Sequence, residues 1–196
     1  MTRSPRSIVL TGAPGSGKTV ITTALARCRA DQLVVVPEAA TQVYASRNTR
    51  WDRLTVDQQR DAQRAIYRLQ IEQESRARRE HPDKLIVLDR GTIDGATYWP
   101  DGVEAYWLDV GTTLDAELAR YDRVILLDSA ATIGLYDGDA SNAVRFEDPL
   151  AAIESGRKLE RWWGRHPDFH RVRATPDLRD KLSQVEYLLG LATHAR

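Results

Sequence analysis

Gly12-Ala13-Pro14-Gly15-Ser16-Gly17-Lys18-Thr19 fits the pattern G-x-x-x-x-G-K-[ST] without a gap. The apolar run Ile8-Val9-Leu10 precedes it and an amphipathic helical pattern follows it. That is the strand–loop–helix setting of a phosphate-binding loop. Its glycines let the backbone turn tightly with no Cβ in the way. The loop N–H groups can then converge on one anion, helped by the positive end of the following helix. Lys18 supplies a full positive charge for terminal phosphates. Thr19 offers a hydroxyl to Mg²⁺, an ion that takes octahedral oxygen ligands and keeps some of its waters. All eight residues are candidate nucleotide-binding residues.

Outward from this loop, apolar runs alternate with helical patterns. Val20, Ile21, Ala24, Leu25 and Cys28 recur at helical spacing, which predicts a helix with one buried face that includes Cys28. Leu33-Val34-Val35-Val36 reads as a buried parallel strand stopped by Pro37. Glu38 follows at its C-terminal end, the edge where open α/β sheets hold ligands. It is a candidate general base or ligand of a substrate hydroxyl; the alternative is an N-terminal acid for a helix at Ala39-Ala40.

Thr55-Val56-Asp57-Gln58 has the form of a capping box and opens a long helix, with Ala62, Ile66, Leu69 and Gln73 as its mostly apolar stripe. Arg47, Arg50, Arg53, Arg60, Arg64 and Arg68 make this region basic, which reads first as a solvated face. Lys84 to Leu88 is the next strand and ends in Asp89-Arg90-Gly91. A carboxylate just past a strand can bind Mg²⁺, and an adjacent arginine can pair with phosphate oxygens; a structural ion pair is the alternative. Residues 92–102 hold Gly, Asp and aromatic residues suited to a substrate-facing loop, with ordinary packing as the alternative.

Val124 to Leu127 is a fourth strand with its own terminal acid, Asp128, and periodicity alone does not choose between Asp89 and Asp128 as the acid linked to Mg²⁺. From Ala131 the pattern is lost, and residues 131–147 form a candidate lid. Arg145, within it, could reach a transferring phosphoryl group. Asp148-Pro149 then caps a helix with Leu150, Ile153, Leu159 and Trp162 or Trp163 on its buried side and Gly164 at its end. A weaker fifth strand from Phe169 and a last helix after Pro176 close the chain. The alternation predicts a single domain over residues 1–196, a doubly wound parallel α/β fold of the phosphate-loop class.

Bulk properties narrow the function. Lys and Arg together number 28, as do Asp and Glu, in 196 residues. The resulting zero net charge argues against a nucleic-acid protein driven by phosphate neutralisation. Cys28 is the only cysteine, so no internal disulfide forms and a reducing, cytoplasmic setting is expected. The short apolar run at the N-terminus leads straight into the phosphate loop and does not read as a signal peptide. No run approaches the length that spans a bilayer.

Ile8 through Thr19, Pro37-Glu38-Ala39-Ala40, Leu88-Asp89-Arg90-Gly91 with Asp94-Gly95, and Arg145-Phe146-Glu147 together resemble the small AAA-type ATPase family that includes the nicotinamide riboside kinase domain. Their order is also similar to that of deoxynucleoside kinases, although the third-strand motif here is Asp-Arg-Gly where those enzymes have Glu-Arg-Ser. By analogy with kinase-type phosphate-loop folds, the sheet order is expected to be 2-3-1-4-5. The resemblance implies a phosphotransferase or NTPase that uses ATP and Mg²⁺. Lys18 and Thr19 would handle phosphates and metal, and Asp89 would be the metal-linked acid or the base. Glu38 would correspond to the nucleoside kinases' base, and Arg90 and Arg145 would neutralise phosphoryl charge. No N-K-x-D guanine signature is present, so ATP is the expected nucleotide. A small-molecule kinase acting on a hydroxyl acceptor is the leading expectation. A nucleotide-dependent switch without such an acceptor is the alternative, and the oligomeric state stays open.

Overall fold

A computed structural model describes residues 6–136 and 148–191. Five strands form one parallel sheet: β1 (Ser7–Thr11), β2 (Leu33–Val36), β3 (Leu85–Asp89), β4 (Arg123–Leu127) and β5 (Phe169–Val172). Their order is β2-β3-β1-β4-β5, as expected. The central strand β1 pairs with β3 on one side, Leu10 beside Asp89, and with β4 on the other, Thr11 beside Leu126. The chain therefore reverses direction across the sheet beside β1, and the strands' C-terminal ends gather around the phosphate loop.

Alternation along the strands builds two cores. Ile8, Leu10, Val87, Ile125 and Leu127 face α1 (Lys18–Cys28) and α8 (Leu178–Leu189), meeting Ile21, Leu25, Val185 and Leu189. Val9, Ile86, Leu88, Val124 and Leu126 point the other way, toward Ala77, Ile93, Tyr106, Leu159 and Trp163. Those side chains come from α3 (Val56–Glu80), α4 (Thr92–Ala96), α5 (Val103–Val110) and α7 (Pro149–Trp163). Two helices complete the set: α2 (Ala39–Ser46) after β2, and α6 (Leu114–Leu118), capped by Thr113. Among the described residues no helix is long and apolar enough to cross a membrane.

Helix signals in the sequence held where side chains close main-chain bonds. Thr55 and Gln58 make the reciprocal capping box of α3, and Asp148 caps α7 with Pro149 in its first turn.

Three expectations are corrected, and one open alternative is resolved. Cys28 is exposed, not buried: the covered stripe of α1 is Lys18, Ile21, Thr22 and Leu25, and Cys28 is the helix's last residue, beyond that stripe. Val20 is also exposed. The covered face of α3 is polar, with Gln63, Gln70, Gln73 and Glu74 buried beside Ala62 and Ala77. Glu74 is tolerated there because Gln70, Tyr121 and Arg120 all donate to its carboxylate. Of the two readings left open for residues 92–102, packing holds for 92–96, which form the buried helix α4, where Asp94 makes several bonds. Leu150, placed at the first turn of α7, is exposed.

Candidate active site

The phosphate loop joins β1 to α1. Gly12 adopts φ +151°, and a Cβ there would lie 2.4 Å from the Leu127 carbonyl oxygen, so only glycine lets the loop pass the end of β4. Gly15 adopts φ +74° under the Tyr136 ring, 2.5 Å from where its Cβ would be.

The loop's carbonyls are occupied one after another. Lys18 Nζ donates to the Gly12 carbonyl, and Ser16 N to that of Ala13 at 3.2 Å. Ser129 Oγ donates to the Pro14 carbonyl at 2.6 Å, and Ala130 N to that of Gly15 at 3.0 Å. Lys181 Nζ reaches the Ser16 carbonyl at 3.0 Å, and Ile21 N the Gly17 carbonyl at 3.1 Å. With its acceptors engaged, the loop offers donors to an incoming anion.

Lys18 is buried and also lies 3.3 Å from Ser16 Oγ. Burial and the nearby Arg90 charge lower its pKa to about 8, against the pull of Asp89, Glu38 and Asp94. Those three acids come from the ends of β2 and β3 and from α4, and two of them, Glu38 and Asp94, meet at Arg90. The Arg90 guanidinium contacts Glu38 Oε1 at 2.5 Å and Asp94 Oδ1 at 2.9 Å. Its backbone takes φ +74°, unusual for a residue with a Cβ, and Gln70 Nε2 holds its carbonyl at 3.3 Å.

The acids differ in state. Burial works to raise the Glu38 carboxyl, but the Arg90 and Lys18 charges and the Thr41 hydroxyl, at 2.9 Å, hold it below the usual range. Asp89 is pushed up, first by burial and then by Glu38, with Lys18 and Arg90 opposing. Its Oδ2 lies 3.3 Å from Thr22 Oγ1, and its Oδ1 is buried without a protein partner. A buried, unpartnered carboxylate oxygen beside the loop helix suits a hard cation that takes oxygen ligands. Thr22 Oγ1 also lies 3.3 Å from the Thr19 carbonyl, placing Thr19 one residue contact from Asp89.

Glu38, Asp89 and Arg90 thus stand around Lys18. Asp128 does not join them: its carboxylate takes Arg171 Nε at 2.8 Å, and Arg171 in turn reaches Glu160 at 2.7 Å. Arg145 and residues 137–147 of the candidate lid lie outside the described residues; the described part of that segment holds a 3-10 turn, Ala130–Ile133, that leads to Tyr136. Half of the basic stretch, Arg50, Arg60 and Arg64, is ion-paired in place. Arg60 forks onto Asp101 at 2.7 and 2.9 Å, and Arg64 onto Asp109 at 2.8 and 2.6 Å.

Sequence reasoning missed Ser129 and Lys181 as supports of the loop. Neither has a motif, because each acts through main-chain carbonyls distant in sequence. It also gave Asp94 no role of its own, although the i, i+4 spacing from Arg90 was a usable signal.

Residues 7–178 match the family model described as AAA domain. No curated protein sequence matches the chain. Among the solved structures that share its fold are the following three. Two are of NadR protein, one in complex with NR and one with NAD and AMP-PNP, at TM-scores of 0.68 and 0.66 and identities of 15% and 14%. Each of these matches covers 98% of this chain but 52% of the NadR chain, so the chain spans about half the length of that protein. The third is deoxyadenosine kinase from M. mycoides with bound dATP, at a TM-score of 0.62 and 13% identity over 94% of this chain and 99% of that one.

Proposed function

We propose, for a chain that belongs to the AAA domain family and has a phosphate-loop kinase-like fold, that it is an ATP-dependent kinase passing the γ-phosphoryl group to the hydroxyl of a small molecule. The observation that carries the reading is the convergence of Lys18, Glu38, Asp89 and Arg90 at one end of the sheet. A loop alone would bind a nucleotide. An ionised carboxylate held against an arginine beside that loop adds a group able to orient an acceptor.

In this reading the loop from Gly12 to Thr19 holds the phosphates. Lys18 exchanges its internal partners, the Gly12 carbonyl and Ser16 hydroxyl, for phosphate oxygens. Thr19 and Asp89 would hold Mg²⁺, which supplies charge stabilisation and phosphate geometry when bound. Glu38, kept ionised by Arg90 and Lys18, orients the acceptor hydroxyl and takes its proton. Arg90, itself fixed by Asp94, balances charge on the phosphoryl oxygens. Catalysis is then mainly positioning and electrostatics. Arg145 is proposed to approach from the lid. The setting is expected to be the cytoplasm.

Incubating the chain with γ-labelled ATP, Mg²⁺ and a metabolite pool tests this directly. The expected result is label in a phosphorylated small molecule, lost in Lys18→Ala. Release of inorganic phosphate alone, with every acceptor fraction unlabelled, would favour the nucleotide-dependent switch instead.

A further inference from the structure

Behind the phosphate loop stands an ammonium that belongs to the last helix. Lys181 Nζ, on α8, lies 3.0 Å from the Ser16 carbonyl and 2.9 Å from the Asp128 carbonyl. The residue is 2% exposed. Its hydrogen-bond partners among the described residues are these two main-chain carbonyls, while the Asp128 carboxylate is turned to Arg171. Holding an ammonium in the interior on carbonyls alone is costly, and burial accordingly lowers its pKa, with the Asp128 charge opposing. An apolar side chain of similar length would spare the charge but strand both carbonyls. A neutral donor would satisfy them without a buried charge, so the position calls for a reason for the charge itself.

Peptide geometry supplies one. The Ser16 carbonyl and the Gly17 N–H belong to one planar trans peptide and point in opposite directions. Fixing the carbonyl toward α8 aims the Gly17 N–H away from it. A charge-assisted hydrogen bond on the carbonyl also polarises the peptide and strengthens the donor at its other end. Ser129 Oγ and Ala130 N act on the Pro14 and Gly15 carbonyls in the same manner, but as neutral donors.

We propose that Lys181 is a positioning residue for nucleotide binding: from outside the loop motif it orients and polarises the Ser16–Gly17 peptide, so that the loop is pre-set for phosphate. This rests on the reading that the loop holds a nucleotide.

Calorimetry on the full chain with ATP and Mg²⁺ tests it, with inorganic tripolyphosphate as a second probe that lacks the base. Lys181→Met is expected to weaken both ligands by about tenfold, as befits loss of a charged hydrogen bond. The thermal midpoint of the nucleotide-free variant is expected to change little, since the buried charge removed offsets the two stranded carbonyls. Lys181→Gln, which keeps a neutral donor, should fall between. Wild-type affinity in Lys181→Met overturns the inference while leaving the nucleotide reading intact; should that variant not fold, wild-type affinity in Lys181→Gln does the same. A weakening of ATP with tripolyphosphate unaffected also overturns it. A wild-type chain that ignores ATP removes the nucleotide reading, and this inference with it.

Discussion

The indole of Trp163, at the end of α7, donates to Asp94 Oδ2 at 2.9 Å. The same carboxylate accepts from Thr11 Oγ1 at 2.7 Å, at the end of β1, and from the Gly91 amide at 3.3 Å, and it pairs with Arg90 at 2.9 Å. One buried acid thus ties the central strand, the β3–α4 turn and α7 to the arginine of the site. Asp94→Ala strands these donors and removes one of Arg90's two carboxylates. Breaking a buried pair this way costs about 3–5 kcal/mol, so urea unfolding should show a loss of that order. Trp163→Phe removes one charged hydrogen bond and should cost about 1.5–3 kcal/mol. An Asp94→Ala chain with wild-type stability would mean the acid is not the tie described.

Lys18 gives the fold a pH signature. Its pKa is about 8 in the folded chain against an ordinary value of 10.5. The unfolded chain therefore binds more protons between those limits, and the Lys18 contribution makes stability rise with pH across that window. Below pH 8 the full cost of holding the buried cation is present. Lys18→Met removes it, so that variant should be the more stable at neutral pH, with its advantage narrowing from pH 8 and gone above 10.5. Urea midpoints of both proteins across the range would show a constant gap if Lys18 were solvated.

The sheet and the loop were legible because their signals are local. Ile8 to Thr19 carries strand, turn and helix in one run, and Thr55 with Gln58 closes a cap within four residues. The candidate acids were legible as strand ends, Glu38 after β2 and Asp89 closing β3. What failed needed tertiary partners. The buried polar face of α3 cannot be read from periodicity, since Glu74 and Gln70 look solvent-facing until Arg120, Tyr121 and the Arg90 carbonyl are placed beside them. Cys28 shows the reverse error, a residue in phase with the core but at the helix's exposed last position. Arg171, which takes up the Asp128 carboxylate, is likewise a partner 43 positions away that periodicity does not show.

Gly15 is held at φ +74° beneath Tyr136. Gly15→Ala combines left-handed backbone strain of about 1–2 kcal/mol with a contact that the ring must yield. Nucleotide affinity should fall by about tenfold or more through distortion of the loop. Adding Tyr136→Ala should recover only part of the loss, because the backbone strain stays. Full recovery in the double variant, read by calorimetry with ATP and Mg²⁺, would show that the ring contact alone mattered.

Glu38 and Asp89 are separable by what each substitution leaves intact. Glu38→Gln keeps a side chain for Arg90 and Thr41 to meet but removes the proton acceptor. If Glu38 is the base, kcat should drop by about 10²–10⁴, with ATP affinity close to wild type. Asp89→Asn replaces the unpartnered oxygen's charge at the proposed metal position. It should raise the Mg²⁺ concentration needed for half-maximal turnover, and extra Mg²⁺ should restore part of the rate. Titrating Mg²⁺ against kcat for both variants makes the distinction, since added metal does nothing for a missing base. Should Glu38→Gln be rescued by Mg²⁺ and Asp89→Asn not, the two acids have the opposite roles: Glu38 binds the metal and Asp89, already pushed above the usual carboxylate range by burial, accepts the proton.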